Sequence, residues 1–153
     1  MRKTFNLSDY DDTIRLILES GGEFRMYPKG TSMLPLIVQE RDSVTLIKPD
    51  GPLKRNDIAF YMRDSGQYVL HRVMSADNGE YTMCGDNQLQ LEQGIKDKNI
   101  IGVVKSFNRK GRDVTPDSIL YKWYLFLWQS FFIRRVFFKL RRLKNVVKTK
   151  LKG

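Results

Sequence analysis

DIAFYMRDSGQYVLHRVMSADNGEYTMC, residues 57–84, contains three β-rich runs and two turn signals. Residues 57–63, 67–75 and 79–84 carry the β-branched and aromatic side chains, and Asp64-Ser65-Gly66 and Asp77-Asn78-Gly79 separate them. Turns this short predict antiparallel pairing, because a parallel neighbour needs a crossover of about a dozen residues or more. Similar runs at 23–28, 42–48 and 99–108 extend the pattern in both directions, with Pro49-Asp50-Gly51-Pro52 as further punctuation. Ahead of them, Ser8 and Asp11 have capping-box form before Ile14, Leu16, Ile17 and Leu18, and Gly21-Gly22 supplies a stop, which predicts a helix over 8–20. The expected fold is mainly β: a compact antiparallel body with a short N-terminal helix and a C-terminal amphipathic helical tail. The expected organisation is an N-terminal helix in 1–22, a β-rich domain in 23–117 and an aromatic, basic helical tail in 118–153.

Charge divides the chain at the same place. Of its 27 Lys and Arg, ten lie from residue 118 onward, where there is no acidic residue, which leaves 17 basic and 17 acidic side chains in residues 1–117. The body is neutral, and the net charge of +10 belongs to the tail. A single cysteine, Cys84, excludes an internal disulfide and a cysteine-based zinc cluster, and no metal or cofactor is expected. The start of the chain has a four-residue apolar stretch interrupted by acids, shorter than the roughly 7–15 residues of a secretory signal, so the N-terminus is expected to be retained.

Ser32 lies in KGTSMLPLI, residues 29–37, and the one histidine, His71, lies in the run 67–75. A serine hydroxyl becomes a nucleophile only with a base in reach, an orienter for that base and donors for the developing oxyanion. Fifteen residues after His71, Gly85-Asp86-Asn87 is a turn that can project an acid. Taken singly, a serine before Met and Pro is usually a turn residue, and a strand histidine is more often structural than catalytic.

As an ordered set, these segments resemble the signal peptidase I and self-cleaving repressor superfamily of serine peptidases. Gly30-Thr31-Ser32-Met33-Leu34-Pro35 looks like its G-x-S-M-x-P box, LKRNDIAFY (53–61) like its K-x-G-D-I-V-x-F box, LHRV (70–73) like the box carrying the general base, and CGDN (84–87) like its G-D-N box. The histidine at 71 is similar to the endoplasmic-reticulum and archaeal branch rather than to the lysine-dependent enzymes. The resemblance covers about residues 23–106 and implies a β body of the signal-peptidase type. It also implies Ser32 as nucleophile, His71 as base, and Asp86, or the alternative acid Glu92, as orienter, with Asp86 favoured. Gly30, Thr31 and Met33 would stand next to the substrate and oxyanion. An imidazole of ordinary pKa near 6.5 suits base work at neutral pH. The implied activity is cleavage of a leader or precursor peptide; the alternative is a catalytically inactive peptide-binding or regulatory module of the same fold.

In the tail, 118–133 is apolar nearly all round but shorter than the roughly 20 residues of a membrane span, and 133–147 reads as a basic amphipathic helix. Nine of the 18 aromatics fall in 118–147. Aromatic and basic side chains together suit an anionic membrane surface, whereas bulky apolar residues make a poor phosphate-binding face, so nucleic acid is not an expected partner. The expected location is cytoplasmic and peripheral, at the inner face of a membrane; a single C-terminal span with the peptidase domain outside is the alternative.

Overall fold

The computed structural model describes residues 10–150, with side chains through Leu143. Its elements run α1 (Asp11–Glu19), β1 (Phe24–Met26), β2 (Ser43–Ile47), β3 (Ile58–Met62), β4 (Tyr68–Asp77), β5 (Glu80–Cys84), β6 (Glu92–Lys96), β7 (Ile100–Arg109), β8 (Arg112–Val114), α2 (Ile119–Trp128) and α3 (Phe131–Lys150). All pairings are antiparallel, and the strands form one sheet in the order β1-β2-β7-β3-β4-β5-β6, with β8 added to β7. The fold is mainly β, as the turn spacing predicts.

The hairpin β4–β5 shows why. Asp77 pairs with Glu80 across Asn78 and Gly79, both at positive φ (46° and 77°), the combination that a two-residue hairpin loop with strand-matching twist requires. β3 runs buried from Ile58 through Tyr61, flanked by β4 and β7. Alternation along the paired strands puts Ala59, Tyr61, Val69, Val73, Tyr81 and Met83 into one apolar cluster with Leu53 and Ile95. His71 is paired with Ala59 and lies on the face of β4 that bears Val69 and Val73.

Two strands have no strong signature in the sequence. β6 buries only Ile95 among its five residues, and β8 is three residues long. Both are recruited by partners, β6 by β5 and β8 by β7. The first helix is shorter than the expected 8–20: Tyr10 stands at its N-cap with no side-chain cap, and Ser8 lies outside the described residues. Asp11 and Asp12 occupy the first turn, where the helix dipole favours acids, and Ile14 and Leu18 supply the buried stripe.

The chain divides into two compact units, residues 1–116 and 117–153. In the second unit the apolar run is not one continuous helix. Ser118 caps α2 by accepting from the Tyr121 N–H, and α2 ends at Trp128; α3 starts at Phe131. At about 1.5 Å per residue, the ten residues of α2 reach about 15 Å, half of the hydrocarbon thickness. Among the described residues no helix is long and apolar enough to cross a membrane, so the alternative of a C-terminal span finds no support. Arg134 Nε donates to the Trp128 carbonyl at 2.7 Å, and Trp128 meets Phe137 edge to face at 5.1 Å, which ties the two helices across the break.

Candidate active site

Ser32 sits in a turn rather than a strand. The Leu34 N–H donates to the Thr31 carbonyl at 3.2 Å, which makes Ser32 and Met33 the central residues of that turn; a turn of this kind uses only the last N–H, so those of Ser32 and Met33 are not spent on closing it. Gly30, at φ +93°, gives the approach a left-handed step with open space where a Cβ would stand, and its N–H donates to Gln39 Oε1 at 2.8 Å. Met33, Leu36 and Ile37 are buried and hold the turn to the body.

The Gly85-Asp86-Asn87 turn docks directly on this segment. The Asn87 N–H donates to the Ser32 carbonyl at 2.7 Å. A Cβ at Gly85 would stand 2.7 Å from that same carbonyl, closer than side chains approach, so glycine is required for the contact. Ser32, Gly30, Thr31, Met33 and His71 line one cleft of about 360 Å³, together with Asn87, Gln88, Tyr68, Leu70 and Arg63. Residues 39 apart in sequence, Ser32 and His71, thus face a common space.

The two candidate acids part company. Asp86 accepts from Arg72 at both carboxylate oxygens, Nε to Oδ1 at 2.8 Å and Nη2 to Oδ2 at 2.7 Å, with both side chains buried. Both Asp86 oxygens are thus engaged by Arg72, the strand neighbour of His71, and from there the carboxylate acts on the imidazole through its charge. The carboxylate linked to the imidazole is Glu92 on β6, with Oε2 3.9 Å from His71 Nδ1. Between them stands Tyr61, whose hydroxyl donates to Glu92 Oε2 at 2.8 Å and lies 3.2 Å from Nδ1. Of the two acids, the geometry favours the alternative, Glu92, reached through Tyr61, over Asp86, whose oxygens are held by Arg72.

Arg63 completes the cluster. Its Nε and Nη2 donate to the two Glu92 oxygens at 2.6 and 2.7 Å, a bidentate pair that keeps the carboxyl below its usual pKa. Burial pushes the His71 imidazole down to about 4, against the opposing pull of Glu92, so the base is neutral throughout the physiological range and weaker than an exposed imidazole. Burial, reinforced by Glu92, also raises the Tyr61 hydroxyl, which stays protonated.

Arg63 lies outside the segments that carry the resemblance; Tyr61 ends LKRNDIAFY and Arg72 follows the histidine in LHRV, but the resemblance gives neither of them a role. The alternation of β3 and β4 could have placed Tyr61 on the face of His71 once their register was known, since Tyr61 pairs with Val69, two residues before the histidine. Among the described residues, no three His, Cys, Asp or Glu side chains gather as a metal site. No family model, curated protein or solved structure matches the chain.

Proposed function

We propose that this chain is a serine endopeptidase that cleaves a leader or precursor peptide, as the resemblance to signal peptidase I implies. The observation that carries the reading is the convergence of Ser32 and His71 on one cleft, with a carboxylate behind the imidazole. In this reading Ser32 Oγ attacks the scissile carbonyl while His71 takes its proton, and Glu92 stabilises the imidazolium that forms. N–H groups of the Ser32 turn receive the oxyanion. The imidazolium then protonates the leaving amine, and water, activated by the same histidine, releases the acyl group from Ser32.

Labelling by a serine-reactive acylating probe tests this. Label at Ser32 is expected, lost in Ser32→Ala and in His71→Ala, with cleavage of a responsive peptide down by about four orders of magnitude in either variant. Label or cleavage that survives Ser32→Ala would refute the assignment. A folded, intact protein that binds peptide in the cleft but never cleaves would instead support the inactive-module reading.

The tail supports placement of this activity at a membrane surface. Ile119, Leu120, Trp123, Phe126 and Leu127 recur at helical spacing along α2 and are all exposed, with Leu120 at 83% and Phe126 at 72%. Phe132, Val136, Leu140 and Leu143 form a similar exposed stripe on α3. Large apolar faces of this kind call for a cover, and ten basic side chains without an acid from residue 118 onward match an anionic bilayer. The protein is then a peripheral one, at the cytoplasmic face, with both helices lying in the interface.

A further inference from the structure

We propose that Tyr61 is a positioning residue that sets the tautomer of His71, its hydroxyl forming the link between imidazole Nδ1 and the Glu92 carboxylate. The catalytic consequence rests on the peptidase reading; the tautomer does not.

Hydrogen-bond counting decides which way the protons run. Glu92 holds both guanidinium contacts of Arg63 and, as a carboxylate, can only accept. Tyr61 has one proton to give and lies 2.8 Å from Glu92 Oε2. Once that proton goes to the carboxylate, the phenolic oxygen has only lone pairs to offer Nδ1, 3.2 Å away, so Nδ1 must carry the hydrogen. The reverse arrangement would turn the hydroxyl toward Nδ1 and leave two acceptor oxygens facing each other without a proton. Tyr61 is fully buried and His71 is 4% exposed, so on their side of the clash solvent is poorly placed to relieve it, although the Glu92 side chain is 24% exposed.

The direct alternative, Nδ1 to Glu92, is too long at 3.9 Å to be a hydrogen bond. Sheet geometry explains why a tyrosine bridges it. Tyr61 and His71 are diagonal neighbours on one face of β3 and β4, their rings edge to face at 6.2 Å, and Glu92 enters from β6, where it pairs with Met83. With Nδ1 protonated, Nε2 is the nitrogen left with a lone pair, the form in which a histidine can take a proton from serine. Tyr61 itself lies behind the cleft rather than among its lining residues.

His71 is the chain's only histidine, so its imidazole nitrogens can be read without assignment in a nitrogen-15 NMR spectrum of the intact protein near pH 7. The expected spectrum has Nδ1 as the protonated nitrogen and Nε2 as the unprotonated one. Tyr61→Phe, which keeps the ring and removes the hydroxyl, is expected to move this signature toward a tautomer mixture. It should lower kcat by about ten- to a hundredfold, as loss of a hydrogen-bond partner behind a functional histidine does, with KM little changed. A wild-type spectrum dominated by the Nε2-protonated form overturns the proposal, even if the variant fails to fold. So does a folded Tyr61→Phe protein with the wild-type spectrum. The same spectrum taken on Ser32→Ala protein keeps the outcomes separate: the tautomer is legible there whether or not Ser32 proves to be a nucleophile.

Discussion

Replacing Asp86 by Ala separates a scaffold role from an orienting one. The carboxylate it removes makes two short bonds to Arg72, whose side chain is 1% exposed and whose Nη1 also donates to the Asn56 carbonyl at 2.9 Å. Taking the counter-charge from a buried guanidinium costs about 3–5 kcal/mol, a large part of the roughly 5–15 kcal/mol that holds a typical domain together. At about 4 °C per kcal/mol for a unit of this size, the melting temperature should fall by about 12–20 °C. Circular dichroism melts or urea titration of wild type and variant measure this directly. The double variant Arg72→Met with Asp86→Leu should recover most of the loss, because burying two apolar side chains needs no charge compensation. An orienting acid behaves otherwise: its removal would leave stability nearly intact and cut activity by up to about 10⁴. A loss of less than about 1 kcal/mol in Asp86→Ala would refute the scaffold role.

Two further outcomes follow from burial and from exposed surface. His71 is held at about 4 in the native state against about 6.5 in an unfolded chain, so between those values the unfolded state binds a proton that the native state refuses. Stability should therefore fall by about 3 kcal/mol as pH drops from 6.5 to 4, with Glu92, lowered from 4.5 by Arg63, adding its own loss below that value. Denaturant midpoints taken across this range should show the slope in wild type and a flatter line in His71→Asn; a wild-type midpoint constant from pH 6.5 to 4.5 contradicts the buried neutral imidazole. The acid limb of the cleavage rate should likewise lie nearer pH 4 than the 6–7 of an ordinary histidine. For the tail, full-length protein should pellet with anionic vesicles, and the triple variant Leu120→Ser, Trp123→Ser, Phe126→Ser should pellet at least tenfold less, since each loss of a buried apolar side chain removes about 1.5–3 kcal/mol; equal pelleting would remove the bilayer as the cover of α2.

The hairpins were legible because their turns are local. Asn78-Gly79 can only be a tight turn of positive φ, and its neighbours on both sides alternate, so β4 and β5 follow from residues 67–84 alone. β6 was not, because four of its five side chains are outside the core and a strand without alternation is recognisable only by its partner. The same distinction divides the site. Ser32 and Gly85 stand out only as members of an ordered set of segments, and the demand for a glycine at 85 shows only once the Ser32 carbonyl is seen against it. The sequence favours Asp86 over Glu92 because nothing local shows that Arg72 engages the first and Tyr61 links the second to the imidazole.

Strand alternation assigns different work to two neighbouring residues of β4. His71 points into the cleft side and is held from behind by Tyr61 and Glu92; Arg72 points the other way and holds Asp86. Asp86 in turn sits between Gly85, which lets the turn approach the Ser32 carbonyl, and Asn87, whose N–H bonds it. One strand therefore fixes both partners of the proposed reaction: the base through its own side chain, and the nucleophile's loop through an ion pair one residue further on. A shift of β4 by one residue would exchange the two faces and place a guanidinium where the imidazole now stands. Register, more than any single side chain, is what keeps Ser32 and His71 facing one cleft.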